Sequence, residues 1–142
     1  MDASAQTQAA DGMTLDRLAD SGAAWRAGDV DRLMSFMTGD CVFGASAGTG
    51  PGTVFRGRDE VRRGFELMLA YDEGAGALGG LAFIAGGRGA SQWACSSTTA
   101  GGTLIEVQGC DLYEFAGGLI RVKDAYRKVH GDITVPVPAP GR

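Results

Sequence analysis

The spacing of hydrophobic residues changes near Gly74: before it apolar positions recur three and four apart, and after it they alternate. Thr14 reads as an N-cap, followed by Leu15, Leu18, Gly22 and Trp25 on one helical face, with Gly28 as the stop. Asp29 then caps a second helix whose stripe is Val30, Leu33, Met34 and Met37, ended by Gly39. A short strand, Cys41-Val42-Phe43, runs into the glycine-rich stretch 44–52. After Val54-Phe55 and Gly57 a third helix carries Val61, Phe65, Met68 and Leu69 on one face. Its first turn holds Asp59 and Glu60, where carboxylates favour the positive helix N-terminus. Strands are predicted at about 80–86, 90–99, 103–115 and 119–129. Helices followed by strands predict an α+β domain, a curved mixed sheet packed against three N-terminal helices. The period-free residues 1–13 read as a disordered lead, 14–129 as the domain, and the proline-rich 130–142 as an extended tail.

The last two strands flank Ala116-Gly117-Gly118, a break suited to positive φ, and so form a long hairpin. On the first arm Ile105, Val107, Gly109, Asp111 and Tyr113 share a face. Asp111 is the one carboxylate there, and an acid on an apolar face needs a partner, a proton or a task. Pairing Asp111 with Ala125 puts Arg127 one diagonal step away and Lys123 on the same wall nearer the turn. A one-residue slip would instead turn Asp124, Tyr126 and Lys128 inward. In the functional reading Asp111 is a general acid or base and Arg127 orients an anionic or carbonyl substrate. In the structural reading the two form a buried ion pair that plugs the cavity.

Composition narrows the class. At 142 residues the chain accommodates one domain, and its 44% hydrophobic and 21% charged content is that of a globular protein. A net charge of −4 excludes the basic footprint of a nucleic-acid binder. No apolar run is long enough to span a membrane, and no signal peptide is legible. Cys41, Cys95 and Cys110 are odd in number and form no motif, which suits a reducing cytoplasm. With one histidine there is no metal-ligand spacing, and no cofactor is implied.

Gly44-Ala45-Ser46-Ala47-Gly48 matches the G-x-S-x-G nucleophile elbow, with Asp111 and His130 following in hydrolase order. That elbow needs a helix straight after the serine, and Thr49-Gly50-Pro51-Gly52 cannot begin one. Trp93, on the face opposite Gln92 and Ala94, is expected in a sheet-to-sheet homodimer contact, with Cys95 and Cys110 also outward.

Three strings, Trp25-Arg26-Ala27-Gly28-Asp29, Leu33 to Asp40-Cys41-Val42-Phe43, and Phe55-Arg56-Gly57-Arg58-Asp59-Glu60-Val61, resemble the SnoaL-like (polyketide cyclase-like) and ketosteroid isomerase-like families. The closing Asp111-Leu112-Tyr113-Glu114-Phe115 and Asp124-Ala125-Tyr126 are similar to the final hairpin of the same nuclear transport factor two-like superfamily. The resemblance spans about residues 14–129. It implies a cone of helices on a bent sheet enclosing a pocket, in a superfamily of isomerases, cyclases, dehydratases, epoxide hydrolases and non-catalytic binders. Of the ketosteroid isomerase pattern, the oxyanion-donating tyrosine falls on Ser21 and the general base on Ala45. The acid kept protonated as second oxyanion donor falls on Asp111, and a late aromatic on Arg127. Of the limonene epoxide hydrolase pattern, the arginine and aspartate fall near Gln92 and Ala94, and the last-strand aspartate on Ala125.

The expectation is therefore cofactor-independent acid–base chemistry, such as isomerisation, cyclisation or dehydration, on a small carbonyl-bearing or polycyclic metabolite. Asp111, Arg127 and Gln92 are the candidate catalytic residues. Phe43, Ala45, Phe55, Phe65, Met68, Tyr113 and Lys123 are the candidate substrate-binding residues. The alternative is a binding or dimerisation module of the same fold without turnover.

Overall fold

The computed structural model describes residues 12–72, 78–98 and 101–128. The lead over residues 1–11, the tail beyond 128 and His130 lie outside them. Among the described residues three helices, α1 (Leu15–Ala27), α2 (Val30–Ser35) and α3 (Arg58–Tyr71), pack on one six-stranded sheet. Its strands are β1 (Met37–Gly44), β2 (Val54–Arg56), β3 (Leu78–Ala85), β4 (Arg88–Thr98), β5 (Leu104–Ala116) and β6 (Leu119–Arg127), in the spatial order β2-β1-β6-β5-β4-β3. Among these strands β1 and β6 run parallel and the other neighbours antiparallel, so the sheet is mixed, and it curves around the helices as a cone.

The helix ends follow their side-chain chemistry. Thr14 accepts from the Arg17 amide at 3.1 Å and Asp29 from the Arg32 amide at 3.0 Å, so α1 and α2 each start on a satisfied N-cap. Gly28 stops α1 in the left-handed region at φ 67°. The α2 expectation needs correction. Met37 does not continue the helix but opens β1, which begins four residues before the expected Cys41. A methionine three after Met34 fits a helical stripe as well as a strand, and tertiary pairing decides between them. Phe36 accepts from the Ile120 amide at 2.7 Å and Met37 pairs with Ile120 on β6. Met13, placed in the lead by its lack of period, is fully buried in the core.

Phe43, Phe65, Val61 and Ile120 sit at the centre of the core. Gly64 allows α3 its close approach to the sheet, since a Cβ there would lie 2.6 Å from the Phe55 ring and 2.9 Å from that of Phe43. The β5–β6 hairpin turns through Gly117 and Gly118 at φ 58° and 77°, the pair of positive values a two-residue hairpin requires. Its register sets Asp111 against Ala125, Tyr113 against Lys123 and Gly109 against Arg127, so Lys123, Ala125 and Arg127 face the cone interior. A one-residue irregularity after Glu114 brings Ile120 to the same side.

Strand β4 corrects a second expectation. Ser91 pairs with Asp111, Gln92 with Cys110 and Trp93 with Gly109. Ser91, Trp93 and Cys95 therefore face inward with Asp111, while Gln92, Ala94 and Cys110 stand on the other face. The expected phase was off by one, and with a side-chain period of two that reverses every residue of a strand. Trp93 and the buried Cys95 are thus removed from the outer face of the sheet, whereas Cys110 remains there.

Candidate functional site

The concave side of the sheet and the α1 and α3 faces above it enclose a cavity of about 710 Å³. Its walls are mainly apolar, supplied by Leu18, Trp25, Phe43, Met68, Leu69 and Ala125. Two polar clusters stand along β6, one around Lys123 and one around Arg127, with Cα atoms ~13 Å apart at ordinary strand rise.

In the first cluster Asp111 accepts three hydrogen bonds. Lys123 donates Nζ to Oδ2 at 2.7 Å, Tyr113 its hydroxyl to Oδ2 at 3.2 Å, and Trp93 its Nε1 to Oδ1 at 3.1 Å. The Tyr113 hydroxyl also lies 2.9 Å from Ser91 Oγ. A phenol has a single proton, so with that proton given to Asp111 the serine is the donor of this bond. Lys123 and Asp111 form an ion pair whose side chains are 12% and 9% exposed. The ammonium also lies 5.2 Å from the ring centres of both Trp25 and Tyr113. Burial pulls the Lys123 pKa down, but Asp111 and then Tyr113 push it up more strongly, leaving it above its ordinary 10.5. Burial raises the Tyr113 phenol above 10.0, only partly opposed by Lys123. At neutral pH Lys123 is a charged donor and Tyr113 an un-ionised one.

In the second cluster Arg127 donates Nε to Ser46 Oγ at 2.8 Å and Nη2 to both oxygens of Asp72 at 2.9 and 3.2 Å. Its guanidinium lies 5.2 Å from the Tyr71 ring and 5.6 Å from that of Trp93. Three segments meet here: β6, the loop after β1, and the end of α3. Burial, and then the Asp72 carboxylate, raise the pKa of the neighbouring Cys95 thiol above 9.0, so this cysteine is no poised nucleophile.

The Asp111–Arg127 ion pair expected from the hairpin register does not form. Trp93 stands between them, bonded to one and stacked by the other, and Gly109 makes room for it. A Cβ at Gly109 would lie 2.3 Å from the indole. Lys123 takes the opposite diagonal and fills the place beside Asp111.

Of the expected site residues, Asp111, Arg127, Phe43, Met68, Tyr113 and Lys123 line the cavity together. Gln92 borders it, but it is an exposed residue on the opposite side of β4 from Asp111, and it takes no part in either cluster. Ala45, Phe55 and Phe65 are not in the lining. Phe55 stacks on Phe43 at 6.0 Å, Phe65 meets Phe43 edge-on at 4.8 Å, and Ala45 is buried in the core beside them. Ser46 sits in a loop of turns with no helix directly after it, so the elbow geometry is absent and its hydroxyl serves Arg127. Ser91, Trp93, Ser46 and Asp72 were missed. The signal for Trp93 was legible in Gly109, a strand glycine between larger neighbours that marks a close approach. Nothing local marks Asp72, which ends α3 and is brought to Arg127 only by the fold. Among the described residues no cluster of metal-ligating side chains occurs, and no helix is long and apolar enough to cross a membrane.

No curated protein sequence matches the chain. Among solved structures, an NTF2-like protein of unknown function from Mesorhizobium loti aligns at 21% identity and TM-score 0.67, over 91% of this chain and 96% of that one. A hypothetical protein of ketosteroid isomerase-like fold from Catenulispora acidiphila, in complex with trimethylamine, aligns at 19% identity and TM-score 0.68, over 80% and 86%. TerC, co-crystallised with polyporic acid, aligns at 15% identity and TM-score 0.68, over 80% and 90%. At such identities the likeness is one of fold. The SnoaL-like domain is matched over residues 16–123, which spans the helices, the cavity wall and the hairpin as far as Lys123, and the chain belongs to the SnoaL-like family.

Proposed function

We propose that the cavity binds a small carbonyl-bearing or polycyclic metabolite and carries out cofactor-independent acid–base chemistry on it, of the isomerisation, cyclisation or dehydration type. The observation that carries this reading is the buried Lys123–Asp111 pair, joined to the Tyr113 hydroxyl, in a mainly apolar cavity. A buried ion pair is commonly no more stable than apolar residues of the same volume, so stability alone is a weak reason for one there. A carboxylate offers about four acceptor positions and Asp111 uses three, which leaves room for one substrate proton. Lys123 also donates to the Tyr113 hydroxyl at 3.5 Å and keeps one N–H beyond these two bonds, suited to a carbonyl oxygen that gains negative charge. The step is then transfer of a proton from carbon to Asp111 while Lys123 holds the oxyanion and the Tyr113 hydroxyl, bonded to Asp111 Oδ2, orients the carboxylate, followed by return of the proton to a different atom.

Solvent deuterium incorporation into cyclic enones and 1,3-diketones, followed by NMR, tests it. Enzyme-dependent exchange that falls at least ~100-fold in Tyr113→Phe, with melting temperature retained, is the expected result. Binding without exchange would sink the catalytic reading and leave a non-catalytic binding module. That second reading has its own support: among the described residues no buried side-chain nitrogen or oxygen lacks a hydrogen-bond partner, so the clusters are satisfied without a ligand.

The reading includes a homodimer through the outer sheet face, where Phe83, Leu104, Leu112 and Tyr126 are exposed. It also includes a cytoplasmic location, which the three free cysteines suit. Sedimentation equilibrium of wild type against Leu112→Asp tests the dimer, which the charge should dissociate.

A further inference from the structure

Among the described residues the cavity wall contains two cations and two anions that are not exposed, and they are matched one to one. Lys123 is held by Asp111 and Arg127 by Asp72, each at 2.9 Å or less. The other charged lining residues, Asp16 and Arg26, are exposed. These described residues thus leave the interior neutral before a ligand enters. Arg127 would be the natural anchor for a carboxylate, but its Nε and Nη2 are already engaged, and Asp72 presents negative charge beside them. An anionic ligand would have to displace Asp72 or leave an uncompensated charge in a mainly apolar chamber, and either is costly. A carbonyl or hydroxyl meets no such obstacle, because Lys123 keeps one N–H beyond its bonds to Asp111 and Tyr113, and Arg127 Nη1 has no partner among the described residues. The rings of Trp25, Phe43, Trp93 and Tyr113 on the walls suit a flat ligand body.

We propose that Asp72 is the residue that sets ligand charge: by neutralising Arg127 it restricts the cavity to uncharged, flat, carbonyl- or hydroxyl-bearing molecules. This rests on the small-molecule reading above and adds a specificity-determining residue and a ligand class to it.

The test uses two near-isosteric probes at neutral pH, uncharged 4-phenylphenol and anionic biphenyl-4-carboxylate. Affinities come from calorimetry, and seating in the cavity from the Trp25 and Trp93 indole N–H shifts. Wild type should bind the phenol about tenfold or more tightly than the carboxylate. Asp72→Asn should raise carboxylate affinity enough to close or invert that ratio, and the gain should vanish in the Asp72→Asn/Arg127→Gln double variant. Should the single variant fail to fold, the wild-type ratio and the double variant, which leaves no unpaired charge, still decide. Equal or tighter carboxylate binding by wild type, or an unchanged ratio in Asp72→Asn, overturns the role of Asp72 while leaving the pocket reading intact. If neither probe shifts either indole, the pocket reading falls and this proposal falls with it.

Discussion

The two ion pairs of the cavity are built differently. Lys123–Asp111 lies within one hairpin, between side chains whose relation is fixed by the β5–β6 register, and its partners Tyr113, Ser91 and Trp93 come from the same two strands and β4. Arg127–Asp72 joins the end of β6 to the end of α3, with Ser46 added from a loop. The first depends on strand geometry and the second on how a helix sits over a sheet. A pair inside a hairpin forms as soon as its ladder forms, whereas a pair between layers reports that the layers have closed on each other. That difference suits the roles proposed for them, proton handling in the rigid pair and ligand discrimination in the one at the seam.

Breaking the hairpin pair should have the largest effect. Asp111→Asn leaves Lys123 charged in a buried place and is expected to cost ~3–5 kcal/mol in urea unfolding. The double variant Asp111→Leu/Lys123→Met should recover most of the loss; a double variant as unstable as the single would mean that the charge pair is not the source. Next comes the bridge between the clusters. Gly109→Ala puts a methyl group where the Trp93 indole and the Tyr126 backbone carbonyl lie, at an expected cost of ~1–3 kcal/mol. The Trp93 indole N–H resonance should move at the same time, because its bond to Asp111 is lost, and an unmoved resonance would contradict the bridging role.

Alkaline titration separates the clusters further. The Lys123 pKa lies above its ordinary 10.5 and the Tyr113 pKa above 10.0 in the folded protein. The unfolded chain therefore releases these protons first, and the stability they contribute, complete below about pH 10, declines as pH rises toward the folded values. Denaturation midpoints measured from pH 8 upward should fall beyond pH 10, and Lys123→Met should flatten that fall. The smallest effect should come from Ser46→Ala, which removes one hydrogen bond to Arg127 while Asp72 remains. It should cost ~0.5–1.5 kcal/mol with no change in the alkaline profile.

The inward row Ile105, Val107, Gly109, Asp111 and Tyr113 was legible because alternation along one strand is local, and so were the caps at Thr14 and Asp29. The glycine turn alone pairs Ala116 with Leu119 and would set Asp111 against Asp124; the irregularity after Glu114 shifts the ladder by one and sets it against Ala125. The phase of β4 was not legible, since it depends on how β4 pairs with β5, and one residue of error there exchanged Gln92 for Ser91 and Trp93. Nor was the division between core and cavity among the aromatics: Phe43, Phe55 and Phe65 have the same chemistry, and only their packing leaves Phe43 at the wall and the other two behind it.

By itself the sequence determined the fold class, the helix starts at the Thr14 and Asp29 caps, the stop at Gly28, and the face on which a lone carboxylate would be buried, all of which rest on interactions between residues near in the chain. The partner of that carboxylate was decided only in three dimensions. Asp111, Lys123 and Arg127 permit two pairings along the hairpin, and the Trp93 indole over Gly109, with Asp72 at the end of α3, selected one of them.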